Sequence, residues 1–512
     1  ESVSKLYKIF SNKLDISGQI EKSIYCFYYI CRNKNYKMSK QIKANYAQDF
    51  LLPPSLEDWI SKDHPSRYIR EFVESLDLRE MGFKVMTNDE GRPYYSSDLL
   101  LKLWLYGYYQ RIRSSRKLEI ASKENISLIW LSGMNYPDHN TLWRFWDENK
   151  IRIRNLFKES VKTAIKLELV SMVVNAVDGT KIKVKSSNSG IVNKKKLEEL
   201  LKNLDEKIDQ MEKEIELNEK TEEGEYSLPL ELQDKEKMRE KIKEALKELK
   251  EINRENMNSK EKEARVMRNS GKKELSYNAQ AVVDDKHQIL VGIDLINNEN
   301  DAESLVPMID EVKETTSKIP EVTLADSGYA TAEQLSDASI KEYKVLLNIT
   351  EKSNISTGPR KDKPFHASNF KYDENKDVMI CPELKELKFF EIDSSKNKRY
   401  KVRKYKCKDY EDCPKRWDCS NSKTGREVKL NPFYKIIEKQ IEYQELEVNK
   451  EKLKRRKALI EPIFALIKEI DGFRRFTVKG LENAKTQWSM ICTSVNLKKM
   501  YKFWANGEIK FT

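Results

Sequence analysis

Two aspartates lie where catalytic carboxylates commonly occur, at the ends of apolar segments. Asp178 closes the run VVNAVD and Asp326 closes the run VTLAD, and a glycine follows each within two residues. In α/β sheets, ligands and catalytic groups gather at strand ends. Two carboxylates at one sheet edge repel each other unless a cation lies between them. Carboxylate oxygens are the hard ligands that Mg²⁺ prefers, so the pair predicts a magnesium site.

A third carboxylate would allow this site to hold two metal ions, and Glu461 is the candidate. It lies in RRKALIEPIFALIK, whose apolar spacing predicts a helix. Lys468, seven positions later, would project from the same side of that helix. Pro462 would remove one helical hydrogen bond and bend the helix beside the carboxylate. The alternative is a helix that begins at Pro462, with Glu461 stabilised by the helix dipole.

The segments around these acids predict a mixed α/β core that positions them. We expect two strands, residues 173–177 and 181–184, joined by a turn at Asp178. A β-hairpin that turns near Asp285 should follow, and then a helix over NENDAESLVPMIDEVKETTSK. The strand that ends at Asp326 comes next, so strand ends and acids would meet at one edge.

Apolar residues repeat in heptads between the two halves of that core. They are Leu197, Leu201, Leu204, Ile208, Met211 and Ile215, and, after a break containing Gly and Pro, Met238, Ile242, Ala245, Leu249 and Ile252. Two helices separated by a breaker predict an antiparallel coiled-coil hairpin. Its ends would lie close together, so it can be inserted into another domain at little cost. Alternatively, the same pattern would dimerise the chain.

Short helices followed by a long basic helix are predicted over residues 93–170. Asp138 is placed to cap a segment that continues to Val170 as one long amphipathic helix. This arrangement is typical of helix-turn-helix DNA-binding domains, and a plain helical bundle is the alternative.

Four of the seven cysteines cluster late in the chain. They are Cys381, Cys407, Cys413 and Cys419, with five residues between each of the last three and the next. Four thiolates can bind tetrahedral Zn²⁺, with His366 as a substitute ligand. The alternative is that these side chains fill a small core.

Basic residues concentrate near the cysteines and near Glu461. Such stretches neutralise phosphates, and interleaved tyrosines can stack on bases, although a solvated surface is the usual alternative. The predicted DNA contacts are Arg399, Tyr400, Arg403, Tyr405, Arg455, Arg456, Lys468, Arg474, Arg475 and Lys479.

Composition agrees with a polyanion-binding protein. The chain has 512 residues and a net charge of +12, with 39% hydrophobic and 35% charged residues. No apolar run reaches the roughly 18 residues that span a bilayer. The cysteines are too sparse for a disulfide scaffold, so we expect a cytoplasmic protein without a membrane partner. The segment from Met38 is typical of a natural start, so residues 1–37 are expected to be either an upstream extension or an ordinary N-terminal helix.

The three acidic segments together resemble a known family. AVDGTKIKV, ADSGYAT and IEPIFALIK with GFRRFTVKGLENA resemble the acidic blocks of bacterial insertion-sequence transposases of the DDE type. YSSDLLLKLWLYGYYQRIRSSRKLE and PDHNTLWRFW resemble that family's helical DNA-binding domain. Many relatives carry tyrosine and arginine where this chain has Lys454 and Lys457, which puts the details of hairpin resolution in doubt.

The resemblance implies a ribonuclease-H-like fold and a metal-dependent reaction on DNA. Asp178, Asp326 and Glu461 would bind two Mg²⁺ or Mn²⁺ ions. One ion would activate the nucleophile and the other would stabilise the leaving oxygen. The partners implied are double-stranded DNA, as terminal inverted repeats and target, and a second copy in a homodimer. The alternatives are a domesticated DNA-binding relative and a coiled-coil scaffold, although a scaffold would leave the three acids unexplained.

The resulting fold prediction is an α/β ribonuclease-H-like core with an all-α N-terminal domain and two insertions. The expected segments are 1–37 (extension), 38–92 (lead-in), 93–170 (helical DNA-binding domain), 171–188, 263–350 and 440–503 (catalytic core), 189–262 (coiled-coil hairpin) and 351–439 (cysteine-rich basic insertion).

Overall fold

The computed structural model describes most of the chain from Ser55 onward. The described residues are 55–84, 94–188, 191–219, 230–251, 253–258, 260–269, 271–349, 363–393 and 401–511. The predicted extension 1–37, Arg399, Tyr400 and Ile252 lie outside them. Within these ranges, the helices are all too short or too polar to cross a membrane.

Six α-helices come first in the described chain. They are α1 Pro65–Glu74, α2 Ser97–Tyr109, α3 Ser115–Glu124, α4 Ile126–Leu131, α5 His139–Glu148 and α6 Lys150–Lys166, preceded by a 3₁₀ turn at Leu56–Trp59. The Asp138 side chain accepts a hydrogen bond from Thr141 N at 2.7 Å, which confirms the predicted cap. The helix that it caps ends at Glu148, and a second helix begins at Lys150. The single long helix predicted to continue to Val170 is therefore wrong.

A mixed six-stranded sheet follows these helices. Its strands are β1 Val174–Lys183, β4 Arg265–Asn269, β5 Lys272–Asp284, β6 Leu290–Ile296, β7 Val322–Ala325 and β8 Val345–Leu347. The order is β4-β5-β1-β7-β8, and β6 also pairs with β5. Strand β5 is antiparallel to β1, whereas β7 is parallel to β1 and β8 is parallel to β7. The carboxyl ends of β1 and β7 therefore point the same way.

Strand β1 corrects the predicted turn at Asp178. Residues 174–183 form one unbroken strand, and Asp178 and Gly179 pair with Ala281 and Gln280 of β5. Strand β5 pairs with β1 from Asn175 to Lys183. These hydrogen bonds keep the backbone extended through Asp178 and Gly179. The role of Gly179 is close approach: a Cβ atom at this position would lie 2.3 Å from Gln280 Nε2.

A helical hairpin leaves the sheet after β1 and returns before β4. Strands β2 Ile191–Asn193 and β3 Asn256–Asn258 pair at its base, and α7 Lys194–Glu219 and α8 Leu230–Glu251 form its arms. Asp205 contacts Arg239 at 2.7 Å and Met211 Sδ contacts Lys235 Nζ at 2.9 Å, so the arms run antiparallel. Met238, expected on the apolar seam, is half exposed.

The remaining helices pack around the sheet. They are α9 Leu305–Thr316, α10 Ala332–Ile340, α12 Tyr434–Glu445, α13 Glu447–Ala465 and α14 Leu481–Ala505. Helix α13 contains Pro462 in its interior and continues into a π-helical turn at Leu466–Ile470, so the alternative of a helix start at Pro462 is wrong. Helix α14 lies against both the sheet and α6, and one hydrophobic cluster includes all three.

A small antiparallel sheet contains the late cysteines. Its strands are β9 Lys371–Asp373, β10 Val378–Ile380, β11 Glu386–Asp393, β12 Val402–Cys407 and β13 Glu427–Leu430, and short helical turns occur at Ala367–Asn369 and at α11 Arg416–Cys419. The order is β13-β12-β11-β10-β9. It has its own apolar cluster around Leu387 and Tyr405, so it packs as a separate layer.

Candidate active site

Asp178 lies in β1, and Asp326 directly follows the adjacent parallel strand β7. The last pair between the two strands is Ala176 with Leu324, so each acid lies two positions beyond it, and the charge of Asp326 acts on Asp178. Gly179 N donates to Asp178 Oδ1 at 2.8 Å. Asp326 caps a 3₁₀ turn and accepts from Gly328 N at 2.7 Å. Each carboxylate is thereby oriented by the backbone that follows it.

The site compensates the charge of Asp178 incompletely. Burial raises the pKa of Asp178, and the negative charge of Asp326 raises it further. Arg456 Nη1 lies 3.3 Å from Asp178 Oδ2 and opposes both effects, but the net shift of the pKa is upward. A divalent cation would relieve this repulsion, and the donor set of carboxylate oxygens suits Mg²⁺ or Mn²⁺.

Glu461 does not join the two aspartates in this arrangement. Helix α13 turns Arg456, Ile460 and Ile463 inward, whereas the Glu461 side chain is exposed. Among the described residues, no three His, Cys, Asp or Glu side chains are grouped so that they could hold a metal ion. The structure thus brings two of the three predicted ligands together.

Lys468 and Arg475 contact the backbone of β1 and of the segment after it. Lys468 Nζ donates to Lys181 O at 3.0 Å, and burial lowers the pKa of Lys468. Arg475 Nε donates to Val184 O at 3.0 Å, next to a bridge between Lys183 and Arg475. Both side chains therefore hold the active-site strand in place.

The other predicted DNA contacts differ in exposure. Arg455, Arg474 and Lys479 are exposed, and Arg474 pairs with Glu469. Arg403 is exposed and pairs with Asp377. The ring of Tyr405 is fully buried, and its hydroxyl donates to Asp377 Oδ1 at 2.6 Å. Tyr405 therefore fills the core of the small sheet and is not placed to stack on a base.

The four late cysteines approach one another at the edge of the small sheet. Burial raises the pKa of Cys407 and of Cys419, and the neighbouring cysteines add to both shifts. Lys385 N donates to Cys381 Sγ at 3.2 Å. Cys413 lines the same small cavity as Cys407 and Cys419. The thiols are neighbours, but they are not grouped at metal-ligand positions.

Sequence reasoning missed one acid of this region, Asp301. It lies before α9, not inside the longer helix that was predicted. Its Oδ1 atom accepts from Asn278 Nδ2 and from Gln280 Nε2, both at 2.6 Å. The signal available in the sequence was the alternation of Asn278 and Gln280 with small apolar residues in the buried part of strand β5.

Family models match two parts of this chain. The model described as a transposase DDE domain matches residues 380–501, which include Glu461. The model described as a transposase domain (DUF772) matches residues 54–148, which include α1 to α5. Among curated proteins, no match to the chain is found. Two transposase models therefore match in chain order, and over these two parts the chain is similar to transposases of the DDE type.

Proposed function

We propose that the chain binds the terminal inverted repeats of its own element and catalyses metal-dependent cleavage and transfer of the DNA strands. The observation that carries the proposal is the placement of Asp178 in β1 and of Asp326 directly after the adjacent parallel strand β7, with the charge of Asp178 incompletely compensated. The sheet order β4-β5-β1-β7-β8, with β6 also paired to β5, with β5 antiparallel to β1 and with β7 and β8 parallel to it, supports a ribonuclease-H-like core.

Asp178 and Asp326 would hold a divalent ion in this function, and Glu461, whose side chain is exposed and apart from them here, is the proposed third ligand. Bound Mg²⁺ would activate the attacking oxygen and stabilise the leaving oxygen at phosphorus. Asp178 and Asp326 contribute oriented oxygens, because the backbone N–H groups of Gly179 and Gly328 fix each carboxylate. Arg456 supplies positive charge to Asp178, which keeps this partly buried carboxylate closer to its ionised form.

Exposed basic residues near the acids would contact the DNA backbone. Arg455 lies beside Arg456 on α13, and Arg474 and Lys479 follow the π-helical turn. Phosphate contacts position a protein on DNA and make binding salt-dependent. We expect the active form to be a homodimer acting in the bacterial cytoplasm, with α7 and α8 as a coiled-coil insertion.

The cysteine cluster would bind a structural Zn²⁺ ion, which would draw the four thiols into ligand positions that they do not occupy here. The four neighbouring thiols, together with the N–H of Lys385 that donates to Cys381, support this proposal. Metal analysis of the purified protein should find one zinc per chain. Protein without zinc that remains folded would contradict the assignment.

Strand transfer by Asp178→Asn tests the catalytic role. The assay uses the full chain, Mg²⁺ and duplexes that carry the ends of the element, with Asp310→Asn as the control because Asp310 is a surface partner of Lys341. We expect Asp178→Asn to lose about 1,000-fold in rate, or about 4 kcal/mol, while DNA binding persists. Wild-type activity in this variant would refute the role. Binding without cleavage by the wild type would favour a domesticated relative.

A further inference from the structure

A second polar cluster lies beside Gly179, and its members serve no purpose in the mechanism above. We call it the Asp301 cluster: Asp301, Asn278, Gln280, Tyr329 and Lys181. Asp301 Oδ1 accepts from Asn278 Nδ2 and Gln280 Nε2 at 2.6 Å each, and Lys181 Nζ lies 3.6 Å away. Asn278, Gln280 and Tyr329 are fully buried. Buried polar groups at this density are costly unless they are paired, so their positions are strongly constrained.

The charge of Asp301 determines the direction of the hydrogen bonds. An ionised carboxylate can only accept, so the Gln280 amide must turn its NH₂ group toward Asp301. Its carbonyl oxygen then faces Tyr329, and the Tyr329 hydroxyl donates to it. Without the carboxylate, either orientation of the Gln280 amide would be available.

These bonds connect the turn that follows Asp326 to the strand pair that contains Asp178. Tyr329 belongs to the 3₁₀ turn that Asp326 caps, and Tyr329 N donates to Asp326 O at 3.3 Å. Gln280 pairs with Gly179, the residue after Asp178. A Cβ atom at Gly179 would lie 2.6 Å from Asp301 Oδ1, so strand and cluster are in close contact.

We propose that Asp301 is a positioning residue: through Gln280 and Tyr329 it ties the turn after Asp326 to the strand beside Asp178, and so fixes the separation of the two carboxylates. The proposal rests on the proposed function, because it concerns the same two ligands. Its Oδ1 atom already accepts two amide N–H groups and lies near Lys181, which fits a structural link better than metal ligation.

Manganese binding tests the proposal separately from catalysis. Electron paramagnetic resonance of free Mn²⁺ measures the affinity of the metal-free full chain without DNA. The variants are Asp301→Asn, Tyr329→Phe and Asp178→Ala, with Asp310→Asn as the control. Outer partners of metal ligands typically contribute about 10- to 100-fold to metal affinity. We expect Asp301→Asn to raise the Kd for Mn²⁺ by about tenfold, Tyr329→Phe to raise it less, and Asp310→Asn to leave it unchanged.

A second readout separates positioning from general destabilisation. Saturating Mn²⁺ should restore cleavage by Asp301→Asn toward the wild-type rate, because the ion itself then draws the carboxylates together. Wild-type Mn²⁺ affinity in both Asp301→Asn and Tyr329→Phe would overturn the proposal. If Asp301→Asn does not fold, Tyr329→Phe decides alone. If Asp178→Ala binds Mn²⁺ as the wild type does, the proposed function fails, whatever Asp301 does.

Discussion

The two sides of strand β1 handle negative charge in opposite ways. On one side, Asp178 and Asp326 repel each other, and Arg456 and the N–H of Gly179 only partly offset the effect of burial on Asp178. On the other side, Asp301 accepts two amide hydrogen bonds at 2.6 Å and has Lys181 nearby. The side with Asp178 and Asp326 has uncompensated negative charge that a bound cation would neutralise. On the side with Asp301, the carboxylate instead orients neutral side chains through hydrogen bonds. One strand therefore combines the proposed metal-binding side, with Asp178 and Asp326, and a rigid side, with Asp301.

Gly179 follows Asp178 in β1 and packs against Asp301. Its replacement should cause the largest loss of stability among the variants considered below. In Gly179→Ala, the new Cβ atom would lie 2.3 Å from Gln280 Nε2 and 2.6 Å from Asp301 Oδ1. Overpacking of this kind typically costs about 1–3 kcal/mol in free energy of unfolding, and we expect cleavage to be lost as well. Denaturant unfolding measures the first effect.

Gly328→Ala is the matched control for that substitution. Its Cβ atom would lie 3.0 Å from Asp326 Oδ1 and Gly328 is exposed, so the effect on stability should be clearly smaller. Equal stability losses in the two variants would show that the close packing at Gly179 has no special importance.

Arg456→Gln should remove the positive charge beside Asp178 and leave the hydrogen bonds of Asp301 unchanged. Arg456 lowers the pKa of Asp178, so its removal should raise that pKa further above its ordinary value. A pH titration of Asp178 by NMR in the metal-free protein measures the change. Arg455→Gln, at the exposed neighbouring position, should leave the pKa of Asp178 as it is. A lower pKa of Asp178 in Arg456→Gln would contradict the assigned electrostatics.

The smallest expected effect is on stability: without metal, Asp178→Asn should be slightly more stable than the wild type. The raised pKa means that folding favours the protonated carboxyl, so ionised Asp178 costs stability once the pH exceeds its ordinary value of 3.8. Asparagine cannot ionise, so in a chelator at pH 7 the variant should unfold at higher denaturant than the wild type. The difference should shrink below pH 3.8, where both side chains are neutral. The opposite result, in which Asp178→Asn is less stable than the wild type at pH 7 and the deficit disappears at low pH, would contradict this sign.

The side with Asp178 and Asp326 was more predictable from the sequence than the side with Asp301. Asp178 and Asp326 end apolar runs followed by glycine, which is a local signal that a sequence displays directly. Asp301 becomes important only because β5 brings Asn278 and Gln280 next to it, more than 20 positions away in the chain. Tertiary contacts of that kind have no local signature.

Two local predictions failed for the same reason. The glycine after Asp178 suggested a turn, but the length of β5 extends β1 through it. Tyr405 alternates with basic residues as in a stacking surface, yet the small sheet buries its ring. In both cases, pairing with a neighbouring strand outweighed the propensity of the segment.

Anomalous scattering from Mn²⁺-soaked crystals of the full chain tests the central claim most directly. The claim is that Asp178 and Asp326 jointly hold the catalytic cation. We predict a manganese peak between the two carboxylates, about 2.0–2.3 Å from an oxygen of each. Manganese bound elsewhere, with none at this pair at saturating concentration, would contradict the account.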